Sequence, residues 1–148
     1  MIPRAASSPG SLMFLLDTNV LAEPTKRSPN PAVLRAISQL GGQLATASVV
    51  WHELQFGIRR LPVSKRRTAL ETYLANLADS DLAILPYDRE AADYHASERA
   101  RLQAEGRTLP FADGQIAAIA AVSGMVLVTR NLKDFRHFRG VEVVSWWG

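Results

Sequence analysis

Short apolar runs alternate along this chain with longer segments of helical periodicity. The clearest run is Met125–Thr129, in which four apolar residues follow one another without a polar interruption. A strand covered on both faces carries such a run, and strands of this kind belong to parallel sheets. The run therefore predicts a central strand of a parallel sheet. Four further runs predict strands: Met13–Leu16, Gln43–Thr46, Leu82–Pro86 and Val141–Val144.

The segments between these runs have helical spacing and recognisable ends. Asn30 suits an N-cap and Pro31 the first helical position, and Ser48 suits the N-cap of the next helix. Asp88 suits the cap of a long charged helix that carries an Ala-rich buried stripe and stops at Gly106. The predicted helices are Pro31–Leu40, Val49–Arg60, Ser64–Ala78, Arg89–Glu105 and Gln115–Val122.

Alternating strands and helices without a hairpin signal indicate right-handed crossovers between parallel strands. We therefore expect an α/β fold with three layers, α/β/α, around a mostly parallel sheet of about five strands. Residues 1–12 are small, contain Pro, Gly and Ser and lack periodicity, so they are expected to be a disordered extension or a misassigned start. Residues 13–148 are expected to form one domain.

Composition excludes several classes of site. The 148 residues include no cysteine, so disulfides and Cys-ligated metals are excluded and any metal must bind through oxygen or imidazole. No apolar run approaches the roughly 20 residues of a membrane-spanning helix, and we expect a soluble, cytoplasmic protein. The net charge of +3 favours a polyanionic partner only weakly, because a solvated surface with scattered basic residues fits it equally well.

Three carboxylates are placed where a parallel sheet binds ligands, outside the carboxyl ends of its strands. Asp17 directly follows the first strand, and Glu53 and Asp113 lie where later helices begin. Carboxylates that converge in one cleft stay ionised only if a cation offsets their repulsion. Mg²⁺ or Mn²⁺ would suit oxygen ligands and activate a water for attack on a phosphodiester, which is nuclease chemistry.

Four segments resemble the ordered signatures of the PIN-domain family, and the pattern is most similar to its VapC and FitB group. Each segment alone is weak evidence, but four in the right order at the right separation are specific. The resemblance runs from Met13 almost to the C-terminus. The segments are Leu15–Leu21, Ser48–Gly57, Asp113–Ala120 and Val128–Phe135.

Carried over by position, the resemblance implies a metal site formed by Asp17, Glu53 and Asp113. It also implies that Asn19 and Thr129 support the site or position substrate. The cofactor implied is Mg²⁺, with Mn²⁺ as a possible substitute.

One departure from the family pattern concerns the place after Thr129 and Arg130, where many relatives have a fourth acidic residue. This chain has Asn131 there. Asn131 could ligate through its amide oxygen, or Asp134 could supply the charge, and either choice leaves the binding of a second metal open. Arg130 is the basic residue nearest the expected site and could contact phosphate or serve structure.

The resemblance further implies an endoribonuclease that is the toxin of a VapBC-type pair. Its partners would be an RNA substrate, a VapB-like antitoxin whose tail occupies the active-site groove, and a second copy of the chain in a homodimer; no membrane is implied. The alternative is a PIN-like module that binds RNA or a partner without cleavage. A phosphotransfer enzyme of the haloacid dehalogenase type would need an acidic residue where Asn19 stands.

Less specific interpretations compete for single residues. Asp17 could satisfy turn amides, Asp113 could be an N-cap, and Glu53 could be a favourable charge near a helix N-terminus. His52, His95 and His137 lack the spacing of a two-His ligand pair, which disfavours zinc. The tryptophans Trp51, Trp146 and Trp147 are expected to serve packing or partner contact more than base stacking.

Overall fold

One sheet of five strands organises the computed structural model of this protein, which describes residues 12–148. Its strand order is β3-β2-β1-β4-β5 and every neighbouring pair is parallel. All five predicted strands are present, with their ends shifted by one or two residues. They are β1 (Phe14–Leu16), β2 (Leu44–Ala47), β3 (Ala83–Leu85), β4 (Val126–Val128) and β5 (Val143–Val144).

Seven α-helices connect or follow these strands within the described range. The chain moves from β1 to β3 toward one edge of the sheet and from β3 to β5 toward the other. Right-handed crossovers in opposite directions place helices on opposite faces, so the predicted three-layer α/β/α architecture is confirmed. The helices are α1 (Thr18–Ala22), α2 (Pro31–Gln39), α3 (Ser48–Arg59), α4 (Lys65–Ala78), α5 (Arg89–Ala104), α6 (Phe111–Ser123) and α7 (Leu132–Phe135).

The core lies on the interior strands of the sheet, as β1 and β4 illustrate. Leu15 and Leu16 of β1 and Leu127 and Val128 of β4 have no exposed surface. Burial of successive side chains on both faces is the pattern expected for a covered parallel strand. The central position predicted for the Met125–Thr129 run is confirmed.

Helices α3 and α6 begin earlier than predicted, and α4 begins at Lys65, one residue later than predicted, with Ser64 as its N-cap. Ser48 is the first residue of α3 and Ala47 occupies the N-cap position, without a side-chain cap. Helix α6 begins at Phe111, four residues before the predicted start at Gln115, and Pro110 precedes it. The Phe111 ring lies 4.7 Å from the ring of His95 on α5, a tertiary contact that stabilises this additional turn.

The buried stripe of α5 is not Ala-rich. It consists of Ala91, His95, Glu98 and Leu102. Burial of Glu98 is compensated by Arg101, whose Nη2 lies 2.8 Å from Oε1, and by the backbone amide of Arg139 at 2.7 Å. Paired charges of this kind can lie inside a helix interface, where periodicity alone predicts apolar residues.

The predicted N-terminal extension, apart from Leu12, lies outside the described residues. Leu12 is exposed, and its carbonyl accepts a 2.7 Å hydrogen bond from Nε2 of Gln43. Across residues 12–148, none of the helices is both long and apolar enough to span a membrane.

Candidate active site

The carboxyl ends of β1 and β4 meet at a topological switch point. These strands are hydrogen-bonded neighbours, and the connections that leave them run toward opposite edges of the sheet. A crevice forms at such a point and is the usual ligand site of an open parallel sheet. Asp17 follows β1 and Thr129 follows β4, and the Asp17 amide donates to the carbonyl of Val128 at 3.0 Å. The two polar residues therefore stand side by side in the crevice.

The Asp17 carboxylate is buried and held on both of its oxygens. Oδ1 accepts a 2.7 Å hydrogen bond from the amide of Thr18, and Oδ2 accepts one of 2.8 Å from the Thr129 hydroxyl. A longer bond of 3.4 Å reaches Oδ2 from Nδ2 of Asn19. Burial raises the pKa of Asp17, and these hydrogen bonds oppose the rise. They also fix the direction in which the carboxylate points.

Asn19 joins the two loops that follow β1 and β4. Its Oδ1 accepts the backbone amide of Arg130 at 3.1 Å, and its Nδ2 lies 3.4 Å from the hydroxyl oxygen of Thr129. The same hydroxyl oxygen accepts the amide of Asn131 at 3.1 Å. Asn19 and Thr129 thus brace the loops around Asp17, in keeping with the supporting role expected for them.

Glu53 reaches the same crevice from α3. Its Oε1 accepts a 3.3 Å hydrogen bond from the hydroxyl of Thr18. Burial and then the charge of Asp17 raise the pKa of Glu53, while the Thr18 bond lowers it. Thr18 was not singled out from the sequence, although its position between Asp17 and Asn19 was a signal that could have found it.

Asp113 lies in the first turn of α6, and every influence on its carboxyl group favours the neutral form. Burial raises the pKa of Asp113 to about 6, together with the charges of Asp17, Asp134 and Glu53. A carboxylate used only as a structural cap would have a lowered pKa, because the amides it accepts from stabilise its charge. Asp113 is also one turn too far along the helix to be its N-cap.

Two residues, Asn131 and Asp134, are candidates for the fourth acidic position expected from the family resemblance. Asn131 occupies the N-cap position of α7, is exposed and makes no side-chain cap. Asp134, in the first turn of α7, is close enough for its charge to raise the pKa of both Asp17 and Asp113. The structure therefore brings Asp134 into the electrostatic field of the cluster, whereas Asn131 contributes no charge.

The oxygen donors of this cluster suit a hard divalent cation, although they stand apart from one another. Within residues 12–148, no three acidic, His or Cys side chains are close enough to hold one ion together. Mg²⁺ is commonly bound through one or two carboxylates while it keeps several waters. Burial first, and then the charges of the neighbouring carboxylates, raise the pKa of Asp113, and a bound cation would offset both effects. We conclude that the donor set fits a hydrated divalent ion.

Beside the carboxylates runs an apolar groove between α3 and α4. It has a volume of about 250 Å³, and its lining includes Thr18, Glu53 and Arg66. Its apolar walls are formed chiefly by Leu54, Ile58, Leu70, Tyr73 and Leu74.

Comparisons with known proteins cover nearly the whole described chain. A family model described as the PIN domain matches residues 14–141, a range that contains all four carboxylates of the cluster. Among curated proteins, the chain is similar to the VapC ribonuclease Y4jK of Sinorhizobium fredii. The two are 34% identical over 91% of this chain and 98% of that protein.

The chain is also similar in fold to solved structures, over most of its length. FitAcB from Neisseria gonorrhoeae superimposes with a TM-score of 0.81 at 30% identity, over 91% of this chain and 99% of that one. VapBC-5 from Mycobacterium tuberculosis, a member of the VapBC family of toxin–antitoxin systems, gives 0.68 at 26% identity, over 91% and 98%.

Proposed function

Because this chain belongs to the PIN-domain family, we propose that it is a divalent-metal-dependent endoribonuclease and the toxin of a VapBC-type toxin–antitoxin pair. The similar protein from Sinorhizobium fredii is a ribonuclease, and the similar structure from Mycobacterium tuberculosis belongs to a toxin–antitoxin system. The proposal assigns to this chain the hydrolysis of RNA phosphodiester bonds.

The observation that carries the proposal is the electrostatic coupling of four carboxylates at the switch point of the sheet. Asp113 has a pKa of about 6 because it is partly buried beside Asp17, Asp134 and Glu53. Titratable groups with shifted pKa values that share a cleft are candidates for a functional site. We propose that Asp17, Glu53 and Asp113 hold a hydrated Mg²⁺, in part through the waters that the ion keeps, with Asp134 supplying further negative charge. Mn²⁺ can substitute for Mg²⁺. The ion would activate water for attack and offset charge on the phosphate.

The residues around these carboxylates orient them. Thr129 and the amide of Thr18 fix the two oxygens of Asp17, and Asn19 keeps the β1 and β4 loops together. Thr18 positions Glu53 through its hydroxyl. Arg130 stands exposed beside Asn19 and is proposed to contact an RNA phosphate next to the one attacked.

Cleavage assays with purified protein freed of antitoxin test this proposal. Mg²⁺ and Mn²⁺ are titrated against a pool of structured and single-stranded RNAs, with and without chelator. Asp17→Asn and Asp113→Asn should each lose at least about 100-fold in rate, the upper end of losses seen for groups that merely support a metal ligand. Asp81→Asn is the matched control, since Asp81 is exposed and precedes the edge strand β3, at the amino end of that strand.

Retained cleavage in both Asp17→Asn and Asp113→Asn would contradict the site assignment. The alternative, a PIN-like module that binds RNA or a partner without cutting, is favoured by one observation, the uncharged Asn131 in the place of an acidic residue. Metal-independent RNA binding with no fragments in any condition would support this alternative.

The apolar groove suggests how the activity is restrained. We propose that a VapB-like antitoxin tail lies between α3 and α4 and ends at Glu53, since an amphipathic segment suits an apolar groove. We further propose that the toxin is a cytoplasmic homodimer. Inhibition of cleavage by the antitoxin, and the mass of the free toxin in solution, test these two points.

A further inference from the structure

His95 lies directly beneath the turn of α6 that carries Asp113. The imidazole is buried in the α5–α6 interface, and its ring centre is 4.7 Å from that of Phe111. On the other side of Asp113, the ring meets the backbone of Gly114. A Cβ placed on Gly114 would stand 2.5 Å from Cδ2 of His95 and closer still to Nε2. The ring therefore contacts the residues on both sides of Asp113.

Gly114 has no local reason to be glycine. It is inside a helix and its φ is negative, so glycine there destabilises the helix relative to alanine. The three atoms that a methyl group at this position would meet first all belong to the His95 ring. The His95 imidazole thus occupies the space that a side chain at Gly114 would need, and the glycine lets the two helices approach closely.

The His95 ring is itself fixed in place. Its Nδ1 is 2.8 Å from the hydroxyl of Tyr87, which precedes α5, and the two rings meet edge to face at 5.9 Å. Burial and the nearby charge of Arg99 lower the pKa of His95, which favours the neutral imidazole. A neutral ring held by Tyr87 forms a rigid support between α5 and the first turn of α6.

We infer that His95 is a positioning residue, which sets the place of the Asp113 carboxylate among the other carboxylates through its contacts with Phe111 and Gly114. This inference rests on the proposed function, because it gives Asp113 a role as metal ligand. Displacement of the first turn of α6 by a fraction of an ångström would weaken metal binding without unfolding the sheet. A residue that only fills space would affect stability and leave metal affinity unchanged.

The test uses variants of the full chain, with Mn²⁺ affinity, RNA cleavage and thermal unfolding measured for each. Gly114→Ala should lower Mn²⁺ affinity and cleavage by about 10- to 100-fold, the range for groups that orient a metal ligand. The double variant His95→Ala/Gly114→Ala should bind Mn²⁺ and cleave RNA several-fold better than Gly114→Ala, because the methyl group then fills the space of the ring. Gly41→Ala is the matched control, since nothing lies within 4 Å of a Cβ there.

Two single variants keep the inference falsifiable if Gly114→Ala does not fold. His95→Ala should weaken Mn²⁺ binding, whereas His95→Phe, which keeps a ring against Gly114, should bind Mn²⁺ more tightly than His95→Ala. Unchanged Mn²⁺ affinity in a folded Gly114→Ala or in His95→Ala would overturn the inference. Asp113→Asn is measured alongside: if it is inactive while Gly114→Ala is fully active, the positioning role fails and the proposed function stands. If Asp113→Asn remains active, Asp113 is not a metal ligand and the positioning role of His95 fails with it, whereas the proposed function fails only if Asp17→Asn is active as well.

Discussion

The hydroxyl of Thr129 donates a 2.8 Å hydrogen bond to Oδ2 of Asp17, which joins the ends of two neighbouring strands that are 112 residues apart in sequence. Valine has nearly the same shape as threonine and cannot donate this bond. We expect Thr129→Val to reduce cleavage by about 10- to 100-fold, the range for a lost partner of a metal ligand. The pKa of Asp17 should rise further, because the bond now lowers it.

A pH series of cleavage rates for Thr129→Val checks this prediction. The rise of activity with pH should move to higher pH as protons compete with the metal for Asp17. Thr129→Ser is the control, since it keeps the hydroxyl and should stay near the parent rate. A Thr129→Val enzyme with an unshifted pH profile would show that the hydroxyl does not act on Asp17.

Asp113 should make the metal-free protein less stable at neutral pH. Its pKa rises from 3.8 to about 6 on folding, so the folded chain binds this proton more tightly than the unfolded chain does. The contribution of Asp113 therefore becomes unfavourable as the pH rises from about 4 to about 6. Since the group is only half-buried, solvent screening limits the cost to the order of 1 kcal/mol.

Thermal unfolding of Asp113→Asn in chelator isolates this effect from other titrating groups. The variant should match the parent below about pH 4 and melt a few degrees higher at pH 7, where 1 kcal/mol corresponds to about 2–4 °C. Added Mn²⁺ should reverse the order, because it stabilises the parent and not the variant. A variant that melts below the metal-free parent at pH 7 would contradict the assigned pKa.

Local sequence signals predicted much of this structure. They did not predict the features that depend on contacts between residues far apart in the chain. Apolar runs predicted all five strands, and Asn30 was correctly expected as the cap of α2, where its Oδ1 accepts the amides of Ala32 and Val33. The early start of α6 was missed, because the ring of His95 on another helix stabilises it. Nor does periodicity anticipate a buried Glu98, whose partner Arg101 compensates its charge.

Part of the candidate site could likewise be predicted from the sequence, and part of it could not. Asp17, Glu53 and Asp113 were predicted as site residues from their places in the fold and from the family resemblance. That assignment stays a prediction, which the electrostatic influence of the other two carboxylates on Asp113 supports. The choice between Asn131 and Asp134 could not be made from sequence. It depends on how the short helix α7 follows β4, which brings the charge of Asp134 close enough to raise the pKa of Asp17 and Asp113.

The charge of residue 131 should set how much metal the enzyme needs. Asn131→Asp would add a carboxylate next to Thr129, and we expect half-maximal cleavage at a Mn²⁺ concentration lower by several-fold. Asp134→Asn should change this concentration in the opposite direction, since Asp134 now adds charge at Asp17 and Asp113. Metal titrations of cleavage at fixed RNA concentration measure both. Equal metal requirements in all three proteins would show that neither position contributes to the site.

Arg130 is expected to act on RNA binding and not on the chemical step. Its guanidinium lies 5.5 Å from the ring centre of Trp147, a cation–π distance that holds the exposed side chain beside the crevice. Only its backbone amide bonds to Asn19, so Arg130→Gln leaves the loop bracing intact. We expect the variant to raise KM for RNA with kcat nearly unchanged, and to reduce the slope of log affinity against log salt by about 0.7, the value for one phosphate contact on a single strand.

Arg35→Gln provides a charge-matched control for this measurement. Arg35 is exposed on α2 and is not among the residues assigned to the site, so Arg35→Gln should leave both KM and the salt slope unchanged. Equal effects of the two substitutions would assign the change to net charge alone. A loss in kcat specific to Arg130→Gln would instead place the guanidinium at the scissile phosphate, where it would stabilise charge that develops during cleavage.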